Sequence, residues 1–362
     1  MKIGIIGLPN SGKTTVFNAL TGGSAETAAY SSGTLEPNLA TVKVPDQRLN
    51  VLAGMYKPKK TTFADVQYID VAGLSGSAHE SGGLAPAFLN YISQVDALLH
   101  VVRAFEDSNV PHSQDSVDVR RDIETVDLEL AFSDLAIIER RLQRLTGEIG
   151  KTAGKEKELR IEERDILQRL QAGLETDVPI RDAGLTPDEE KLLRGYQFLS
   201  AKPLLIVLNV DENQLTSDLV TSIDYPHARS AVVALAGKVE AEIAQLDAED
   251  ARAFLDDLGI KEPARERAIG ASYDLLGLVS FLTAGPDEVR AWPINRGTPA
   301  LEAAGTIHSD IQRGFIRAEV VAYTDLVAAG AMADAKKRGT VRMEGKTYIV
   351  QDGDICNFLF NI

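Results

Sequence analysis

The sequence predicts an α/β protein: a doubly wound sheet with a P-loop and a helical (coiled-coil) insert, followed by a C-terminal α+β module of β-grasp type. Three features carry this prediction. A short apolar run enters a glycine-rich loop close to the N-terminus, and strand and helix patterns then alternate. After about residue 277 these patterns give way to short alternating strands.

The glycine-rich loop has the spacing G-x-x-x-x-G-K-[ST] over residues 7–14 and follows the apolar run at 3–6. A strand that enters such a loop, with a helix behind it, is the context of a phosphate-binding P-loop. Gly7 and Gly12 let successive N–H groups point into one concavity, and the helix N-terminus adds partial positive charge. We expect Lys13 to reach the β- and γ-phosphates and Thr14 to be a ligand of Mg²⁺.

Two further segments are expected to complete the magnesium and γ-phosphate site. In the irregular stretch 24–41, Thr34 is either a second Mg²⁺ ligand or the cap of a turn before Pro37. The run at 66–69 ends in D-x-x-G, which places Asp70 at the carboxyl edge of the sheet. We expect Asp70 to hold Mg²⁺ through a water, and the Gly73 N–H to meet the γ-phosphate.

The residue after this motif bears on hydrolysis. Small signalling GTPases place a glutamine there to orient the attacking water, whereas this chain has Leu74, which cannot hydrogen-bond to water. The polar group must therefore come from another segment. Two loop histidines, His79 and His112, are candidates, since either imidazole could orient or deprotonate water near neutral pH.

The expected purine site follows the strand at 203–208. The guanine-reading motif at such a strand end is N-K-x-D, whose aspartate accepts from guanine N1–H and N2–H₂, but this chain has Asn209-Val210-Asp211-Glu212. Because glutamate is one methylene longer, we predict ATP over GTP, with Asn209 at the purine edge and Val210 on its face. If the loop is shifted by one residue, Asp211 takes the aspartate position instead. The backbone N–H groups of Ala236 and Gly237 are expected to close over the base.

The alternation breaks between about residues 122 and 173, where the chain is charged and helix-forming. Leucine and isoleucine recur there in two arms, separated by a Gly- and Lys-rich stretch at 147–157. This pattern predicts an antiparallel helical hairpin with a narrow apolar seam. Its expected members are Leu128, Leu130, Leu135, Ile138, Leu142 and Leu145 in the first arm, and Leu159, Ile166, Leu167, Leu170 and Leu174 in the second.

The last part of the chain has the pattern of a small module with five or six strands and one helix. The strands are expected at 278–283, 289–294, 315–321, 341–343, 347–350 and 356–360, and the helix at 299–308. The domains predicted from these patterns are 1–121 with 201–277 for nucleotide binding, 122–200 for the hairpin insert, and 278–362 for the module.

Composition limits the class of protein. The chain has 362 residues, of which 44% are hydrophobic and 25% charged, and its net charge of −15 argues against wholesale wrapping by nucleic acid and gives no reason to expect sequence-specific DNA binding. The absence of a membrane-length apolar run and the single cysteine, Cys356, favour a cytoplasmic protein, which we expect to be a monomer. One local basic cluster is a solvated face or an RNA contact: it comprises Lys336, Lys337, Arg338, Arg342 and Lys346.

Taken together, these stretches resemble the Obg-like ATPase family, also called YchF, over essentially the whole chain. The resemblance lies in residues 4–15, 34–38, 70–74 and 209–212 and in the tail at 348–360. It implies a GTPase-like domain with a coiled-coil insert and a TGS domain, Mg²⁺-dependent hydrolysis of ATP in preference to GTP, and a link to the ribosome. Carried over by position, it implies a phosphate cradle of Asn10, Ser11, Gly12, Lys13, Thr14 and Thr15, Mg²⁺ ligands Thr14 and Thr34, and an adenine site of Asn209, Val210 and Glu212.

The resemblance also ranks His112 above His79, because the family has a loop histidine implicated in hydrolysis at that position. Two segments depart from the family pattern: residues 30–33 replace an aromatic-proline stretch, and residues 75–79 replace V-K-G-A. These departures, together with Leu74, keep two alternatives open. One is a GTPase of the same fold, and the other is a nucleotide-regulated scaffold with negligible hydrolysis.

Overall fold

The computed structural model describes residues 1–23, 37–71, 86–112, 115–214, 219–246, 248–257 and 263–361. The strands are β1 Lys2–Ile6, β2 Asn38–Lys43, β3 Lys60–Thr62, β4 Asp65–Asp70, β5 Ala97–Arg103, β6 Leu204–Asn209, β7 Ser230–Leu235, β8 Leu278–Ala284, β9 Glu288–Asn295, β10 Phe315–Ala322, β11 Arg342–Glu344 and β12 Asp354–Phe360. The helices are α1 Lys13–Thr21, α2 Gln47–Tyr56, α3 Pro86–Ile92, α4 Val119–Ile149, α5 Gly154–Leu174, α6 Pro187–Leu193, α7 Leu219–Ser222, α8 Gly237–Ile243, α9 Ala248–Asp257, α10 Ala264–Leu275, α11 Ala300–Ile307, α12 Ser309–Arg313, α13 Tyr323–Ala329 and α14 Met332–Lys337.

The chain forms two compact units. The first comprises Met1–Thr41 and Gln67–Leu275, and the second comprises Val42–Val66 and Leu276–Ile362. No helix among the described residues combines bilayer-spanning length with sufficient apolar character.

A six-stranded sheet with the order β2-β4-β1-β5-β6-β7 forms the centre of the first unit. β1 pairs in parallel with β4 on one side and β5 on the other, and β6 and β7 continue the parallel order. Because the strand order reverses at β1, the carboxyl end of β1 is the switch point at which doubly wound sheets bind ligands. The glycine-rich loop and the start of α1 lie there, as the predicted fold class requires.

The faces of this sheet are covered by different helices. Ile6 and Ile69 lie in one apolar cluster with Phe88 of α3 and Ile123 of α4. Successive strand residues point to opposite faces, so Tyr68 faces away from Ile69. Its hydroxyl donates to Ser272 Oγ of α10 at 3.0 Å, which places α10 on the face opposite α3 and α4.

The predicted hairpin consists of α4 and α5. The first turns of α4 belong to the sheet cluster, whereas Ile138 and Leu145 pack with Leu167 and Leu170 of α5 in a separate cluster. Three predicted seam residues do not lie in the seam: Leu128 and Leu159 are 43% and 47% exposed, and Leu130 packs in the sheet cluster. Leu128 is two positions from the buried Leu130, about 200° around the helix, and therefore faces solvent.

The second unit has a six-stranded sheet of its own, with the order β11-β10-β12-β8-β9-β3. β8 and β9 form an antiparallel pair, β12 returns parallel to β8, and β10 is antiparallel to β12. The small residues of α11, among them Ala303 and Ala304, allow this helix to pack in a cluster with Phe281 and Phe358. This is the expected helix-on-sheet module.

Three features of the second unit differ from the sequence-based expectation. Residues 347–350 form an isolated bridge, Pro299 with Ile349, instead of a strand, and α12, α13 and α14 are additional helices. Residues 42–66, which the predicted boundaries assign to the nucleotide-binding domain, lie in the second unit. The reason is that β3 pairs in parallel with β9 and that Arg48 forms an ion pair with Asp352 at 2.7 Å.

Candidate nucleotide site

The glycine-rich loop has the backbone of a phosphate cradle. Gly7, Asn10 and Gly12 have φ angles of 145°, 61° and 90°, and α1 begins directly afterwards with Gly12 as its N-cap. A Cβ at Gly7 would overlap the Val101 carbonyl, and one at Gly12 would overlap the Asn209 amide. Only glycine therefore fits at these two positions, and the loop N–H groups and the helix N-terminus can converge on an anion.

Lys13 lies buried within this loop. Its Nζ donates to the carbonyl oxygens of Gly7 at 3.0 Å and Leu8 at 2.9 Å. Burial lowers the pKa of Lys13 to about 8, and the negative charge of Asp70 partly opposes this shift. The ammonium is thus held by neutral carbonyls at a point where a phosphate would supply negative charge.

Ser11 adds a further polar group to the cradle. Its Oγ is buried and has no hydrogen-bond partner among the described residues, and its carbonyl accepts from the Asn209 side chain at 3.0 Å. Thr15, the third residue of α1, is half-buried. An unpartnered buried hydroxyl is costly, and a ligand oxygen would satisfy it.

The residues expected to hold Mg²⁺ fit such an ion where the structure describes them. The Thr14 Oγ1 hydroxyl donates to Asp70 Oδ2 at 2.8 Å, although the two residues are 56 positions apart in sequence. A hydroxyl and a buried carboxylate are oxygen ligands of the type that Mg²⁺ prefers, with phosphate oxygens and water completing its shell. Among the described residues there is no cluster of three or more His, Cys, Asp or Glu that could hold a metal alone. Thr34, Gly73, Leu74 and His79 lie outside the described residues.

Asn209 connects the two halves of the expected nucleotide site. Its Nδ2 donates to Ser11 O at 3.0 Å, and its Oδ1 accepts from the Gly237 N–H at 3.1 Å. The Gly237 N–H that was expected to close over the base is therefore bonded to Asn209, and Ala236 next to it is buried. Asn209 thus fixes the phosphate cradle to the start of α8.

Val210 and Glu212, the other two residues of the expected purine slot, differ in their exposure. Val210 is 4% exposed and packs in the sheet cluster, so its side chain belongs to the core and not to an open slot for the face of a purine. Glu212 is exposed, and its N–H donates to Asp211 Oδ1 at 3.0 Å. Of this pair, the glutamate carboxylate is the group available to a base.

The loop that carries His112 is attached to its surroundings at several points. Asn10 of the cradle donates to Pro111 O at 3.0 Å, and the His112 Nε2 lies 2.8 Å from Asp122 Oδ2. From the end of β5, the buried guanidinium of Arg103 donates to Val110 O at 2.9 Å and also bonds the carbonyls of residues 105 and 107. His112 is thus the candidate histidine that the structure describes, one residue from a direct bond to the P-loop.

Sequence reasoning missed three residues near this site. Arg103 ends a strand that is apolar apart from His100, and Asp122 follows the loop histidine by ten residues, but neither has a recognisable motif. The third is His100, fully buried on β5 opposite Ile6, with neither ring nitrogen hydrogen-bonded among the described residues. Burial, with a smaller effect of Lys13, lowers the pKa of His100 to about 3 and keeps this imidazole neutral.

Comparison with known proteins agrees with this geometry. A family model described as "50S ribosome-binding GTPase" matches residues 2–139, and YchF-GTPase_C, described as a protein of unknown function, matches 278–361. The chain is 44% identical to the ribosome-binding ATPase YchF of Bacillus subtilis, over 99% of both chains. It is 37% identical to Obg-like ATPase 1 of Oryza sativa, over 100% of this chain and 92% of the relative. The solved structure of the Schizosaccharomyces pombe YchF GTPase superimposes with a TM-score of 0.84 at 30% identity, over 99% of this chain and 97% of that one. With a P-loop at the switch point of its sheet and this similarity along its length, the chain belongs to the YchF family.

Proposed function

We propose that this protein is a cytoplasmic nucleoside triphosphatase that hydrolyses ATP in preference to GTP, with Mg²⁺ as cofactor, and that its nucleotide state governs its association with the ribosome. The observation that carries the proposal is the cradle itself: a glycine-rich turn and a helix N-terminus, with Lys13 inside and the Thr14–Asp70 pair beside it. Relatives from B. subtilis and Haemophilus influenzae, at 44% and 42% identity, are named ribosome-binding ATPases.

Each residue of the cradle has a distinct task in this reaction. The backbone N–H groups and Lys13 bind the phosphates, and Lys13 exchanges its bonds to loop carbonyls for bonds to phosphate oxygens. Thr14 and Asp70 would hold Mg²⁺, which when bound neutralises charge on the β- and γ-phosphates. His112 would orient or deprotonate the attacking water, the task that Leu74 cannot perform.

The preference for ATP rests on Glu212. A guanine reader needs a carboxylate that meets N1–H and N2–H₂ together, and the longer glutamate side chain at this position is a poor match for that pair of donors. Adenine does not have this pair of donors, so its binding is not weakened by a site that leaves the two guanine donors without an acceptor. The competing function is a GTPase in which Asp211, exposed beside Glu212, reads guanine instead.

Competitive titration of ATP and GTP against a fluorescent analogue tests the base preference. We expect ATP to bind more tightly in the wild type, and Glu212→Asp to improve GTP binding relative to ATP. Asp211→Asn is the matched control, and it should leave the ratio unchanged. Tighter binding of GTP than of ATP by the wild type, lost in Asp211→Asn, would establish the GTPase alternative.

Two further measurements test hydrolysis and ribosome association. In single-turnover assays the wild type should release phosphate much faster than Lys13→Ala. Equal rates would favour the alternative of a nucleotide-regulated scaffold with negligible hydrolysis. In cosedimentation, the fraction bound to ribosomes should differ between a non-hydrolysable ATP analogue and ADP.

The double variant with Lys336→Glu and Lys337→Glu distinguishes the two interpretations of the basic cluster. A salt-sensitive loss of pelleting with ribosomes indicates an RNA contact, and unchanged pelleting indicates a solvated face.

A further inference from the structure

His112 and Asp122 form a buried pair. The side chains are 4% and 3% exposed, and Nε2 lies 2.8 Å from Oδ2. The second carboxylate oxygen, Oδ1, accepts from Arg121 Nε at 3.1 Å and from its second guanidinium nitrogen at 2.9 Å. Asp122 is therefore held on both oxygens, one by the adjacent guanidinium and one by the imidazole.

Asp122 lies at the capped start of a helix that packs in the core. It lies in the first turn of α4, whose N-cap Asp118 accepts from the N–H groups of Arg120 and Arg121. Ile123, the next residue, is buried in the sheet cluster. The carboxylate that meets the imidazole is thus fixed to the core of the first unit, while the loop it meets is fixed to the P-loop through Asn10 and Pro111.

We infer that Asp122 is the positioning residue of His112 in hydrolysis. An ionised carboxylate accepts from Nε2–H, so it selects the tautomer in which a neutral ring carries its lone pair on Nδ1, and it fixes the plane of the ring. A histidine that orients or deprotonates water needs both properties, and a carboxylate partner commonly supplies them. This inference rests on the proposed function, in which His112 assists hydrolysis.

Steady-state kinetics with Mg·ATP tests the inference in variants at both positions. Asp122→Asn should lower kcat by about 10- to 100-fold while KM changes less than about twofold, because the amide no longer enforces one tautomer. Asp122→Glu should recover part of the lost kcat. The double variant with Asp122→Asn and His112→Ala should be no slower than His112→Ala alone, since the two residues act as one unit.

The chain offers a matched control pair. His227 Nδ1 lies 2.6 Å from Asp182 Oδ2, near the amino end of β7 and hence at the sheet edge opposite the cradle. Asp182→Asn removes a carboxylate from a histidine in the same way and should leave kcat unchanged. Two-bond ¹H–¹⁵N spectra of the five histidines give a readout independent of turnover. The His112 signals, assigned by their loss in His112→Ala, should report an Nε2–H tautomer that becomes mixed in Asp122→Asn.

The outcomes separate failure of the inference from failure of the proposed site. A large loss in His112→Ala with full activity in Asp122→Asn overturns the inference and keeps the proposed function. Full activity in His112→Ala removes His112 from hydrolysis and overturns both. Loss of nucleotide affinity in Asp122→Asn, measured by titration, would assign Asp122 to the fold of the cradle and also overturn the inference.

Discussion

Nucleotide binding by this protein should take up a proton, because the charge of Lys13 is incomplete near pH 8. Burial lowers the pKa of Lys13 to about 8, and the negative charge of Asp70 partly opposes this shift, while its ammonium donates to two neutral carbonyl oxygens. A triphosphate bound in the cradle brings negative charge to the ammonium and stabilises its protonated form, so the pKa of Lys13 rises on binding.

The magnitude follows from the fraction of neutral lysine before binding. With a pKa of about 8, about a tenth of Lys13 is neutral at pH 7, about half at pH 8 and about nine tenths at pH 9. Binding should therefore take up about 0.1, 0.5 and 0.9 protons at these three pH values. The direction of the pH dependence follows as well. Since the protonated lysine binds phosphate, nucleotide affinity should fall as the pH rises through 8.

Isothermal titration calorimetry with a Mg²⁺-bound, non-hydrolysable ATP analogue measures this uptake. The apparent enthalpy is compared at each pH in buffers of different ionisation enthalpy, and the slope gives the number of protons. Lys13→Arg is the control, because arginine stays protonated throughout this range. Uptake near zero at pH 8 in the wild type, or equal uptake in Lys13→Arg, would refute the reasoning.

Two substitutions test the backbone and the buried polar groups that hold the first unit together. In an equilibrium titration, Gly12→Ala should weaken nucleotide binding by about 30- to 150-fold, because left-handed backbone strain and a broken Asn209 hydrogen bond together cost about 2–3 kcal/mol. Gly22→Ala, also at positive φ but with the Ala244 carbonyl oxygen 3.9 Å from the added Cβ as its nearest neighbour, should bind nucleotide normally. Asp134→Asn should lower the free energy of unfolding by about 2–3 kcal/mol, measured by urea unfolding. The fully buried carboxylate accepts three hydrogen bonds, from the Leu199 N–H and from the N–H and the hydroxyl of Ser200, whereas an amide can accept fewer. A midpoint equal to that of the wild type would contradict the second expectation.

Much of the phosphate site could be predicted from the sequence, because a P-loop is contiguous. Its cradle consists of backbone groups of one loop, and the identities of Gly7, Gly12 and Lys13 follow from the turn and the charge that a phosphate needs. Asp70 could be found as well, since it ends a strand and parallel strands present their carboxyl ends at one edge. The bond from Thr14 to Asp70 agrees with that reasoning.

Groups that meet across long sequence separations could not be predicted in the same way. Asn209 is predicted at the purine edge, and the hydrogen bond from its side-chain amide to Ser11, which is 198 positions away, has no counterpart in any local pattern. Asp122 and Arg103 have no motif, and their relation to His112 exists only where β5, the loop and α4 come together. Val210 was expected in the purine slot, yet the packing of the sheet buries it.

The sequence by itself determined the local structures: the cradle, the strand ends, the arms of the hairpin and most strands of the second unit. Only the tertiary structure decided which distant segments become neighbours, as when β3 joins the sheet of the second unit beside β9. The physical reason is that backbone torsion and hydrophobic period are properties of adjacent residues. A strand edge or a buried carboxylate, in contrast, has many chemically suitable partners, and packing of the whole chain selects one of them.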